Sequence, residues 1–163
     1  MHHLLAATLV VAAISFLRPV PVFAQIEEVR IGVDGMTCNL CAAGLERALR
    51  KLDGVSSVRV ALADQSALVK LKAGAAFDPD VYRAAVRDAG QQMRQLELRV
   101  KGSVQRQDGG YRLQPGAGPS LAVGRSSGTK LESYVGRIVR VRAKVSSPPR
   151  SPLELELTEV LLP

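Results

Sequence analysis

The sequence contains no tryptophan, and its 163 residues include only three tyrosines, three phenylalanines, two histidines and two cysteines. Each scarcity excludes a class of function. Nucleic-acid binding that stacks bases on aromatic rings has few platforms here, since Phe77, Tyr82, Tyr111 and Tyr134 are the only rings after residue 24. A closed structural zinc site takes four Cys or His ligands. This chain offers Cys38 and Cys41, with His2 and His3 far away near the start. A thioredoxin-type CxxC normally follows a tryptophan, whereas Thr37 precedes Cys38, so a thiol oxidoreductase is disfavoured. After residue 24 nothing approaches the ~20 apolar residues that a membrane-spanning helix needs.

What the chain does have begins with an address. Residues 4–17 (LLAATLVVAAISFL) form an apolar run of signal-peptide length, closed by Pro19 and Pro21. Val22 and Ala24 stand at the small-residue positions that signal peptidase reads, which predicts cleavage after Ala24 and a periplasmic, exported protein. The chain carries 22 basic and 15 acidic residues, a net +7. That excess is uneven: residues 25–100 hold 11 basic against 10 acidic, and residues 101–163 hold 10 against 5. Arg137, Arg140 and Arg142 read first as the solvated face of a strand rather than a specific anion site, and the basic C-terminal part also suits weak contact with anionic surfaces.

Hydrophobic periodicity divides the chain into elements. Residues 27–34 alternate, with Val29, Ile31 and Val33 on one face, as in a half-buried strand. Over residues 39–52 the period becomes helical: Leu45, Ala48, Leu49 and Leu52 recur on one side, Glu46 and Arg50 pair outside, and Gly54 supplies the stop. Residues 56–63 and 66–72 read as a hairpin around Asp64-Gln65. Asp78 is the expected N-cap of a second helix, with Pro79 at its first position, Val81, Ala85 and Val86 inward, and Gly90 past its end. Residues 94–102 alternate again. The order β-α-β-β-α-β is the split βαβ, ferredoxin-like plan.

Beyond Gly102 the strands shorten. Residues 103–114 read as two strands around Asp108-Gly109-Gly110, 121–125 as a third and 130–136 as a helical turn. In 137–145, Ile138, Val139 or Val141, Ala143 and Val145 point inward against Arg140, Arg142 and Lys144. A last strand carries Leu153, Leu155 and Leu157. Five strands with a small helix between the third and fourth predict a Greek-key barrel. The expected fold class is therefore α+β, a ferredoxin-like βαββαβ sandwich followed by a small all-β, OB-like barrel. The expected divisions are 1–24 (signal peptide), 25–101 and 102–163.

The chemistry concentrates in GMTCNLC, residues 35–41, where the first strand gives way to the first helix. Two thiols at this spacing can hold a soft metal ion, cycle as a dithiol, or form a small disulfide. Thiolates select Cu(I), Hg(II) and related ions, and two of them suffice for a two-coordinate site. A helix N-terminus favours thiolate. A disulfide closing so short a loop stabilises little. Met36 reads as a core plug beneath the loop.

GMTCNLC and the following AAGLERALRKLDGVSSVRV resemble the heavy-metal-associated domain of copper chaperones, P-type ATPase N-terminal modules and periplasmic mercury-binding proteins. The motif is Gly-Met-Thr-Cys-x-x-Cys with Gly-Val after the helix, here Gly54-Val55, and the resemblance covers residues 27–101. It implies the ferredoxin-like fold and binding of Cu(I) or Hg(II), with Zn(II) a poorer fit, by Cys38 and Cys41. One departure stands out: after Gly90 the family usually has Tyr, Phe or Lys near the metal loop, and this chain has Gln91. The C-terminal part resembles small OB-fold domains of exported bacterial proteins more faintly. The resulting expectation is a non-enzymatic carrier that passes a soft ion to a metal transporter or acceptor protein by thiolate exchange, without nucleic acid. The competing expectation is an interaction protein whose barrel binds a partner.

Overall fold

The computed structural model describes residues 26–116, 119–146 and 153–161. The expected signal segment and its cleavage point after Ala24 lie outside the described residues. β1 (Ile26–Asp34), β2 (Val55–Ala61), β3 (Ser66–Leu71) and β4 (Gln92–Gln107) pair antiparallel in the order β2-β3-β1-β4. Two helices cross between them, α1 (Asn39–Arg50) after β1 and α2 (Pro79–Asp88) after β3. The alternation read in β1 is realised: Val29, Ile31 and Val33 are fully buried, in one cluster with Leu45 and Leu49 of α1 and Val86 of α2. This is the expected split βαβ sandwich.

The helices start and stop where their residues require. Asp78 caps α2, its side chain accepting from the Asp80 N–H at 2.9 Å, with Pro79 in the first turn. Glu46 and Arg50 form the outward pair on α1. One inward residue differs from expectation: Val81 is 44% exposed, and Tyr82 is buried in its place. The set Tyr82, Ala85, Val86 has i, i+3, i+4 spacing, which brings the Tyr82 ring inward against Phe77.

β4 links the two regions as one continuous strand. It runs sixteen residues, straight through Lys101 and Gly102, and its far half enters a second sheet. There β5 (Gly110–Gln114), β6 (Leu121–Val123), β7 (Ile138–Val145) and β8 (Glu154–Leu161) join it. The pairing runs β4-β5-β6-β8-β7 and closes back on β4, with β6 and β8 parallel and the other pairs antiparallel. The result is a closed five-stranded barrel. Between β6 and β7, α3 (Arg125–Gly128) leads into a 3₁₀ helix (Thr129–Tyr134) that places Leu131 fully inside. Val139, Val141, Ala143 and Val145 are the inward residues of β7. Ile138 is instead 47% exposed, because it pairs with Ser103 on the outer face, one residue out of phase with Val139.

The shared strand welds the two regions. Leu98 faces Val29 of β1 along one edge of β4 and Ala143 of β7 along the other. Arg140 of β7 also reaches Glu27 of β1 with two bonds, at 2.9 and 3.1 Å. At the crossover, a Cβ on Gly102 would sit 3.0 Å from the Gln114 carbonyl oxygen, so the close approach of two backbones demands glycine there.

Candidate metal centre

β1 ends at Asp34 and α1 begins at Asn39, leaving four residues to reverse the chain. Gly35 makes the first bend at φ +91, a conformation open to glycine. Met36 turns inward and is fully buried, as read from sequence, which anchors the loop from below. Thr37 and Cys38 then emerge into solvent, while Cys41 in the first helical turn is half-buried. Cys38 is extended (φ −145, ψ 159) and is the N-cap of α1: its Sγ accepts the Cys41 N–H at 3.1 Å.

Sulfur thus performs the capping role usually given to Ser or Asp. No acidic residue lies in the first turn of α1 to offset its positive end. The two cysteines, the residues expected from sequence to hold a metal, are brought together and pair as a disulfide, with Cα atoms 5.2 Å apart. In the reduced state the same geometry offers two sulfurs at a helix N-terminus, one of them exposed. No group of three or more His, Cys, Asp or Glu side chains suited to a metal occurs among the described residues. The donor set therefore fits a two-coordinate soft ion and does not fit a closed zinc site. Leu40, between the cysteines, is 81% exposed and leaves the rim uncovered.

Two glutamines hold this loop, and sequence reading marked only one of them. Gln91 is 4% exposed and its Nε2 donates to the Cys41 carbonyl at 3.1 Å. The residue at the family's aromatic or lysine position is thus a buried hydrogen-bond donor to the loop. Gln65, in the β2–β3 turn, donates through Nε2 to the Met36 carbonyl. That contact spans 29 residues of sequence, and nothing in the local pattern around Asp64-Gln65 signals it. Away from the loop, burial in the helical layer pushes the Tyr82 phenol up to about 12.

The family model for the heavy-metal-associated domain matches residues 30–92. The mercuric transport protein periplasmic component of Pseudomonas fluorescens is 36% identical over 69 residues, which cover 42% of this chain and 70% of that protein. The chain belongs to the heavy-metal-associated domain family. The Copper-transporting ATPase 1 of Rhizobium meliloti (strain 1021) is 41% identical to this heavy-metal-associated chain over 66 residues. That match covers 40% of this chain and 8% of the ATPase, so the chain spans under a tenth of the transporter's length. Oxidized MerP from Ralstonia metallidurans CH34, a solved structure, is 30% identical over 43% of this chain and 93% of its own, with a TM-score of 0.37. No helix among the described residues of this heavy-metal-associated protein is long and apolar enough to cross a membrane.

Proposed function

We propose that this protein is an exported carrier of a soft metal ion, Cu(I) or Hg(II), whose ligands are the thiolates of Cys38 and Cys41. The observation that carries the reading is the position of the two sulfurs: adjacent, at a helix N-terminus, with Cys38 exposed to solvent. A two-coordinate ion in an open loop can take a third thiolate from an acceptor, so it is transferred by ligand exchange without ever being free. A disulfide-bonded pair has no thiolate to offer an ion, so reduction to two thiols precedes loading. The copper-transporting ATPases and the mercuric transport component among the relatives support a transporter or acceptor protein as the recipient.

In this reading residues 1–24 are a signal peptide cut after Ala24, residues 25–101 form the metal module, and residues 102–163 form an OB-type barrel. The barrel's closed five-strand order, with its helix between the third and fourth strands, supports that last assignment. The barrel serves as a rigid spacer or docking module. The chain carries no catalytic constellation in this reading.

The test is titration of the anaerobically reduced protein with Cu(I) in competition with a chromophoric chelator, and separately with Hg(II). One equivalent binds, and Cys38→Ser or Cys41→Ser lowers the affinity by at least a hundredfold. Stoichiometric binding that survives either substitution would remove the cysteines from the site.

A further inference from the structure

We propose that Gln65 and Gln91 form a two-sided amide clamp that preorganises the metal loop, positioning the sulfurs through the backbone. This rests on the reading of Cys38 and Cys41 as the metal ligands. The two side chains come from different turns, β2–β3 and α2–β4, and meet the loop from opposite ends. Gln65 Nε2 donates to the carbonyl of Met36, two residues before Cys38, and Gln91 Nε2 donates to the carbonyl of Cys41.

Each glutamine is itself fixed by its own backbone. The Gln65 carbonyl accepts the Val33 N–H at 2.9 Å, and its N–H donates to Leu62 at 3.1 Å. The Gln91 N–H donates to the Val86 carbonyl at 3.1 Å, at the end of α2. The clamp is therefore anchored on the sheet on one side and on a helix end on the other.

Both positions carry a local cost that packing alone does not explain. Gln65 sits at φ +47, where glycine or asparagine would be more comfortable. Gln91 is almost fully buried and its Oε1 has no hydrogen-bond partner, where a leucine would fill the space without an orphaned oxygen. In both cases the side-chain bond to the loop carbonyl is what the glutamine supplies and glycine or leucine cannot. The bonds matter most when the loop works. The Cys38 sulfur caps the Cys41 N–H in this state, and that contact weakens once the sulfur turns to a metal. The two amides, which involve no sulfur, then remain to hold the loop, and being neutral they add no charge to a bis-thiolate complex.

A preorganised loop keeps the two sulfurs close in the reduced apo form, so it favours every state in which they are bridged. Losing a support of this kind around a metal site typically weakens metal affinity tenfold or more. The variants Gln65→Gly and Gln91→Leu separate this role from a structural one, because each relieves a local cost while deleting one arm of the clamp. Each is expected to keep or raise the melting temperature. Each is also expected to lower Cu(I) affinity about tenfold, and the double variant about a hundredfold. The oxidised fraction of the cysteine pair in a fixed glutathione buffer falls in parallel, and amide exchange over residues 38–42 accelerates.

Folded variants with unchanged Cu(I) affinity, unchanged oxidised fraction and unchanged exchange would overturn the clamp. Lower melting temperature with an unaltered site would do the same, by making both glutamines purely structural. If the wild-type protein binds neither Cu(I) nor Hg(II), the carrier reading falls; the oxidised fraction and the exchange rates then still decide the clamp.

Discussion

In the N-terminal sandwich a four-stranded sheet is sealed on one face by α1 and α2, and its other face is left to charged side chains such as Arg30, Lys70 and the Glu28–Arg99 pair. In the C-terminal barrel the sheet seals itself by closing, with Leu131 delivered to the interior by a single 3₁₀ helix. The first arrangement has strand-to-helix junctions, and one of them carries the cysteine pair. The second closes on itself and so abolishes its strand edges, and among its described residues no cluster of metal-ligating side chains occurs. The cysteine pair sits at the first of the sandwich's junctions, with Cys38 as the N-cap of α1.

That comparison breaks if the two regions are energetically separate. Leu98, 1% exposed on the shared stretch of β4, belongs to both. Leu98→Ala is expected to cost about 3 kcal/mol. In urea the amides of sandwich and barrel should lose protection in one transition at lower denaturant. Two transitions, with only one displaced, would show that the strand joins the regions without coupling them.

Alkali sharpens the same point from one side. Burial raises the Tyr82 phenol from 10.0 to about 12, so the folded protein keeps that proton after the unfolded chain has released it. Stability from this source is complete below pH 10 and is lost as pH climbs towards 12, by on the order of 2 kcal/mol. Tyr82→Phe should flatten that part of the stability curve relative to wild type. Since Tyr82 lies in the helical layer, barrel amides that follow the alkaline loss would report coupling.

The smallest effect concerns the bridge outside the core. The Glu27–Arg140 pair links β1 to β7 with both side chains partly exposed. A double-mutant cycle with Glu27→Gln and Arg140→Gln should give a coupling of about 1 kcal/mol or less, shrinking as salt is added. A coupling several times larger would make this ion pair, rather than the hydrophobic strand, the main link between the regions.

Most of the sandwich was readable from the chain because its signals are local. A period of two in 27–34, a period of 3.6 in 39–52 and the Asp78-Pro79 cap each depend on neighbours within a few residues, and each appears in the structure. The two misplaced residues, Val81 and Ile138, are apolar side chains next to a better candidate on the adjacent face. Periodicity alone did not choose between Val81 and Tyr82, or between Ile138 and Val139; the packing of a ring on Phe77 and the register of β7 on β4 did. How far β4 runs, to Gln107, was not legible locally, since a strand's length is set by the partners that flank it.

The sequence by itself determined the strand and helix order of the sandwich, that two cysteines meet at a strand-to-helix junction, and that these are the only two cysteines in the chain. These follow from short-range backbone preference and from composition. Tertiary structure alone decided that Gln65 and Gln91 grip the carbonyls of Met36 and Cys41, and that one strand serves both sheets. Hydrogen bonds across 29 and 50 residues exist only once the chain has folded, because bringing distant segments together is the work of the buried core and not of the residues that then bond.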